Sequence, residues 1–502
     1  MKSKLLALTV SSLLLVTGGA IASSAKISDF HYQDDPSATF GDRNKPDTLP
    51  EMGTTAGSAL SVAQEINMGD FYVRQLNAAS VIIDDPILVD YINALGHTLV
   101  SKAKSVKTPF HFYLVNNNEL NAYAFFGGNV VLHSGLFAAT DDESQLASVM
   151  AHEISHVTQR HLARALEDQQ HNSSLTWAGA FGAILLATAS PQAGMAALTS
   201  TIAGSQQGKI SFTQANEQEA DRIGIQLLGR AGFDVRAMPL FLQKLADKSA
   251  YSIKPPEMLL THPLPESRLA DMRNRANQMP VISRASSLDF MLAKVRVLTM
   301  YSDDQAGAEE YLHKLTSGTR AEALAADYGY AIQQYRDKKY NEANVSIQKL
   351  LDRSPDNAWF LDIATDNDIA QNKAQQAVER LEKAQAASSD KPVLLLNMAN
   401  AQIEAGQYTK ATLLLEKYTY SHPSELNGWD MLRKVYALQG NRSKELAAWA
   451  ETKALHGDLS QAIELLTQAS ASLQKGCMEQ EEYLARIEQF KSLQETFKKY
   501  KN

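Results

Sequence analysis

Two histidines and a glutamate near the middle of the chain have the types and spacing for metal chemistry. Ala151-His152-Glu153-Ile154-Ser155-His156 continues an apolar run through Leu146, Val149 and Met150, so the pattern predicts a helix. Residues four apart on a helix project from one face, one turn above the other. Two neutral imidazoles so placed can chelate one zinc ion, with Glu153 beside the metal. Zinc makes a water acidic enough to lose its proton near neutral pH, and Glu153 is positioned to take it. The plainer alternative is a surface helix with two solvated histidines.

A catalytic zinc takes a third protein ligand and keeps one position open. The residues after His156 are Val157, Thr158, Gln159, Arg160 and His161, which lack the glycine and third histidine of an extended motif. The third ligand is therefore expected from another helix. Asn216-Glu217-Gln218-Glu219-Ala220-Asp221 opens a helix that runs through Ile223, Ile225, Leu227 and Leu228. Glu217 and Asp221 share a face. Glu217 can bind the metal while Asp221 accepts a hydrogen bond from a ligand imidazole and orients it. Glu219 is expected to point elsewhere, into solvent. Alone, such a carboxylate pair is ordinary exposed helix charge; it gains force from the missing ligand. In Thr261-His262-Pro263-Leu264-Pro265 the two prolines make a stiff, non-helical loop. His262 either caps the helix through Arg268 and Leu269 or reaches the metal and fills its open position. His133, His161 and His171 read as ordinary structural or exposed histidines.

The elements that must position these groups come from the rest of the chain. Its 502 residues are 44% hydrophobic and 21% charged, which are globular values. Lys and Arg number 48 against 56 Asp and Glu, for a net charge of -8, which argues against nucleic acid as a partner. Cys477 is the single cysteine, so intramolecular disulfides and cysteine-based zinc or redox motifs are excluded. Lys2 and Lys4, the apolar run Leu5 to Val16 and Ala20-Ile21-Ala22 read as a signal peptide over residues 1–22. An export signal without cysteine pairing suits the periplasm. A polar leader is expected over 23–60, a domain holding the metal site over 61–285 and a repeat domain over 290–502. Residues 169–208 hold no charged side chain and read as a buried helical hairpin, a lid or a docking patch.

The last stretch is rich in helix formers and repeats. Ala343, Ala377 and Ala411 stand 34 residues apart, as do Gly406 and Gly440, while Tyr340 and Tyr408, and Pro355 and Pro423, differ by twice that. This is the period of tetratricopeptide repeats, helix pairs that stack into a solenoid with a concave groove. About four repeats fit the length. They imply a protein or peptide partner.

The combination His152-Glu153-x-x-His156 with Glu217-x-x-x-Asp221 resembles the zinc-dependent peptidases related to HtpX and the CAAX prenyl proteases. That resemblance implies a mainly α fold: a gluzincin-type metallopeptidase domain with a small edge sheet, followed here by an α-solenoid. It implies one zinc per chain, with Glu217 as third ligand and Asp221 assisting catalysis. Asn121-Ala122-Tyr123-Ala124 and Gly127-Gly128-Asn129-Val130-Val131-Leu132 match the family's edge strand, which can hydrogen-bond an extended substrate backbone. With a signal peptide in front and repeats behind, the chain is similar to the exported, repeat-bearing members of the family. The likeness implies quality control of outer-membrane proteins. Such a protein degrades stalled or misassembled β-barrel proteins and promotes maturation of the lipopolysaccharide-transport barrel. It docks on the barrel assembly machinery through its repeats, and peripheral contact with the outer membrane is compatible with this. It also implies that His262 is a regulatory fourth ligand that closes the site. The alternative of another class is a mainly non-proteolytic chaperone or adaptor with a latched zinc site. A purely structural metal is a third reading.

Overall fold

The structure, a computed structural model, describes residues 60–170, 213–251, 256–387 and 391–501. The expected signal peptide, the leader up to residue 59, and residues 171–208 of the uncharged stretch, His171 among them, lie outside the described residues.

Helix α1 (Val62–Ala78) opens on a capping box in which Ser61 and Gln64 satisfy each other's backbone N–H. Helix α2 (Pro86–Val100) has proline in its first turn, where no intrahelical N–H is needed. Three short strands follow: β1 (His111–Val115), β2 (Ala122–Phe125) and β3 (Asn129–His133). Their order is β1-β3-β2, with β1 parallel and β2 antiparallel to β3. All five residues of β3 are buried, as a central strand covered on both faces requires. The edge expected over Gly127 to Leu132 is therefore central, because β3 hydrogen-bonds on both sides. Among the described residues, β2 is the sheet edge that pairs on one side only with β3 and lies against α3.

Helix α3 (Glu143–Thr158) carries the histidine pair and starts where the Asp142 side chain accepts from the Gln145 N–H at 2.9 Å. Nearly its whole length is buried. Leu146, Met150 and Ile154 share one buried core with Leu114, Val130 and Leu132 of the sheet and with Ile225 and Leu228 of α5 (Gln214–Arg230). Burying each such side chain is worth about 1.5–3 kcal/mol. Between α3 and α5 lies α4 (His161–Gln170). At Gly224 the backbones of α3 and α5 come so close that a Cβ would sit 3.3 Å from Ala151 and His152 main-chain atoms. That approach brings the two motifs face to face. Helix α6 (Glu266–Gln278) follows the proline loop, and α7 (Leu288–Met300) leads into the repeats.

Five helical hairpins then stack from Arg320 to Lys501 among the described residues, one more than the sequence count. The second helices of the first four begin at Tyr340, Ala374, Tyr408 and Arg442, 34 residues apart. Two residues before each start stand Lys338, Asn372, Gly406 and Gly440, all with positive φ. A left-handed residue there reverses the chain between paired helices. The fifth hairpin leaves the register because its second helix, Met478–Lys501, is a 24-residue closing rod. No described helix is long and apolar enough to cross a membrane.

Candidate metal centre

Helix α3 supplies His152, Glu153 and His156, α5 supplies Glu217 and Asp221, and the loop after Glu257–Thr261 supplies His262. All six side chains are buried. One ligand atom from each of His152, His156, Glu217 and His262 lies within 4.8 Å of all the others. The Nε2 atoms of His152 and His156 are 3.0 Å apart. His152 Nε2 is 3.5 Å from Glu217 Oε2, and His156 Nε2 is 3.4 Å from Glu217 Oε1. Donors bonded at about 2.1 Å to one tetrahedral ion stand about 3.4 Å apart, so this set fits zinc. The chemistry of the set agrees: two imidazoles and a carboxylate are zinc donors.

Around these groups runs a shell of fixed partners. His152 Nδ1 lies 3.0 Å from Asp221 Oδ1. Arg268, on α6, donates from Nε to Asp221 Oδ2 at 2.7 Å and from Nη2 to Oδ1 at 2.9 Å. Its Nη1 reaches the Pro263 carbonyl at 2.6 Å and lies 2.7 Å from Glu217 Oε2. One buried guanidinium therefore ties both carboxylates of the second motif to the His262 loop. His262 Nδ1 is 3.0 Å from Glu217 Oε1, and its Nε2 is 3.6 Å from Glu153 Oε1. The cap of α6 is Pro265 with no side-chain bond, so His262 does not cap α6; its backbone instead closes the short helix Glu257–Thr261, donating to the Met258 carbonyl. Both Glu153 oxygens are buried without a hydrogen-bond partner of good geometry.

Electrostatics follow from this packing. Burial alone would raise the Glu217 carboxyl, but His262, His152 and His156 hold it far below the usual carboxylate range. Burial opposes a charge on His152, yet Asp221 and Glu217 outweigh it and push its pKa up to about 10. Asp221 stays below its ordinary value because His152 and Arg268 overcome burial. Glu153 is raised by burial, only partly offset by His262 and His152, which favours a group that picks up a proton readily. Burial lowers His156 well below its ordinary value.

Three residues of this arrangement escaped the sequence reading. Arg268 stands in the sequence only as one residue of a helix. His161, read as ordinary, is buried with Nδ1 2.9 Å from His156 Nδ1. Glu219, expected in solvent, is 3.0 Å from His161 Nε2 and accepts from Arg164 Nη2 at 3.0 Å. The His161 contact, ahead of Arg164, pulls the Glu219 pKa down to about 2. His133 is buried at the end of β3 and lies outside the cluster.

Comparison with known proteins bears on the same residues. A model of peptidase family M48 matches residues 87–276, and a tetratricopeptide-repeat model matches 368–435. The beta-barrel assembly-enhancing protease of Yersinia pestis is 59% identical over 455 residues, covering 90% of this chain and 94% of that one. This chain belongs to the beta-barrel assembly-enhancing proteases of peptidase family M48. A putative member from Vibrio cholerae is 43% identical over 457 residues, covering 91% of this chain and 94% of its own. The mitochondrial metalloendopeptidase OMA1 of Bos taurus is 31% identical over 159 residues, 30% of this chain and 29% of that one. The chain is thus a metallopeptidase, mainly helical with one small sheet, followed by tetratricopeptide repeats.

Proposed function

We propose that this chain is a periplasmic zinc endopeptidase acting on outer-membrane β-barrel proteins during their assembly. The observation that carries the reading is the convergence of His152, His156 and Glu217 donor atoms at zinc-like separations beside a buried Glu153. The relatives' printed name supplies barrel assembly. The apolar run and small residues of positions 1–22 supply export. The peptidase domain spans 61–285 and the repeat domain 290–502, with α7 starting at that boundary.

In this reading His152, His156 and Glu217 hold the zinc, which when bound polarises the scissile carbonyl and activates water. Glu153 takes the proton and later passes it to the leaving amine, a task suited to a carboxyl raised by burial. Asp221 fixes the His152 ring, and Arg268 fixes Asp221. The open edge of β2 pairs with an extended substrate, so recognition runs through the backbone and tolerates many sequences. The repeats recruit clients or the barrel assembly machinery. Degradation of misassembled barrels and maturation of the lipopolysaccharide-transport barrel are the activities that follow. The purified chain and its Glu153→Gln variant, incubated with an unfolded outer-membrane protein, test this. Cleavage by the variant at the parent's rate refutes it.

A second reading has its own observation. His262 lies within the same donor set, and four protein donors close a tetrahedral site. The resting enzyme is then latched, and its main work is that of a chaperone or adaptor. Full cellular complementation by Glu153→Gln favours this reading, and enhanced cleavage by His262→Ala shows the latch.

A further inference from the structure

Each imidazole of the histidine pair is held from behind, but by different means. His152 has a carboxylate at Nδ1. His156 has another imidazole, and that imidazole has the carboxylate of Glu219 at its far nitrogen. We propose that Glu219 and His161 form a positioning relay that fixes the ring and tautomer of His156, leaving its Nε2 lone pair free for the metal.

The argument is a count of protons. An ionised carboxylate only accepts, so His161 presents Nε2–H to Glu219 Oε2 across 3.0 Å. Neutral His161 then has a lone pair on Nδ1. Across the 2.9 Å to His156, the proton must sit on His156 Nδ1. His156 is left with a bare Nε2, the atom 3.4 Å from Glu217 Oε1. Reverse any link and Nε2 carries a hydrogen that blocks coordination. Arg164 donates to the same Oε2 of Glu219 and holds the carboxylate in place.

The backbone is built to make this contact. In an unbroken helix, residues five apart are turned about 140° from one another. Arg160 breaks α3 with φ of 53°, and α4 restarts at His161. Arg160 is locked in turn by its ion pair with Glu65 and its bond to the Leu60 carbonyl. The turn swings His161 back over His156. Neither His161 nor Glu219 belongs to the donor set, so both are positioning residues.

The inference rests on the zinc reading above. Its test measures zinc affinity of the full chain by competition with a chelator, alongside the melting temperature of chelator-treated protein. Glu219 is partly exposed, so its variants should fold. Glu219→Leu removes the acceptor, and loss of such an outer partner should weaken zinc binding about 10–100-fold. Glu219→Gln keeps an oxygen that can still accept from His161 and Arg164, and should bind zinc clearly more tightly than Glu219→Leu. His161→Phe should behave like Glu219→Leu. Melting of the chelator-treated variants should match the parent. Glu219→Leu binding zinc as tightly as the parent, or Glu219→Gln as weakly as the leucine variant, overturns the relay. So does a fall in metal-free melting that accounts for the lost affinity. A parent that binds no zinc overturns both readings; the other outcomes overturn the relay alone.

Discussion

Arg296 joins the peptidase domain to the repeats, and removing it has a calculable cost. From α7 its Nε donates to Asp85 Oδ2 at 2.6 Å, at the start of α2. Its Nη1 donates to Asp362 Oδ2 at 2.7 Å, on the repeat helix Ala358–Ala370, and to the Tyr328 hydroxyl at 2.9 Å. Asn397 donates to the other Asp362 oxygen at 3.0 Å, and Tyr301 to Asp85 at 3.0 Å. Arg296, Asp85 and Asp362 are all buried. Arg296→Met strands two buried carboxylates without their cation, a loss of about 3–5 kcal/mol. That is a large share of the 5–15 kcal/mol, roughly, that holds a domain folded. The deficit depends on pH. Burial already raises the Asp362 carboxyl against the pull of Arg296. Without the arginine it rises further. A carboxyl whose folded pKa exceeds its unfolded one favours folding at low pH and loses that contribution as pH climbs through the folded value. The variant's deficit should therefore be small near pH 4, by the ordinary carboxyl pKa, and full by about pH 8. Urea unfolding followed by tryptophan fluorescence at both pH values measures it. A loss below about 1 kcal/mol at pH 8, the size of an exposed pair, refutes the reasoning, as does an equal loss at both pH values.

Three further outcomes follow from packing, backbone and burial. Gly69 of α1 lies against the turn that anchors β2, where a Cβ would come 2.2 Å from the Phe126 carbonyl oxygen. Gly69→Ala should cost about 1–3 kcal/mol in urea unfolding and lower kcat/KM by displacing the substrate edge. Lys338, exposed with φ of 61°, holds a conformation that costs a side-chain residue about 1–2 kcal/mol, so Lys338→Gly should raise stability by about 1 kcal/mol. Burial pushes His133 down to about 4, against partial opposition at Glu119. The unfolded chain then binds the proton more tightly, so stability falls as pH drops from about 6.5 toward 4. His133→Leu should flatten that fall; an unchanged urea-unfolding profile across this range contradicts it.

Local spacing made the histidine pair of α3 legible, because four residues are one helical turn. Glu217 was legible only by elimination, as the ligand the first helix did not supply. Arg268 carried no such mark: its carboxylate partner Asp221 is 47 residues away, and nothing near it in sequence shows that it is buried. The contact that joins Glu219, His161 and His156 was hidden for a related reason. Helical spacing points His161 away from His156, and only the left-handed turn at Arg160 reverses that. The repeat period stood out where glycine occupies the left-handed position, at Gly406 and Gly440. The left-handed position itself was hidden at Lys338 and Asn372, where ordinary residues take the same conformation and only Ala343 and Ala377 mark the period. The parallel pairing of β1 with β3 depends on register between distant segments, which a five-residue strand does not announce.

The most direct test of the zinc reading is a crystal structure of the Glu153→Gln protein with zinc, using anomalous scattering at the zinc edge. The account predicts one strong peak at about 2.0–2.2 Å from the Nε2 atoms of His152 and His156 and from a Glu217 oxygen. A zinc peak elsewhere, or one on the two histidines with Glu217 unbound, contradicts it.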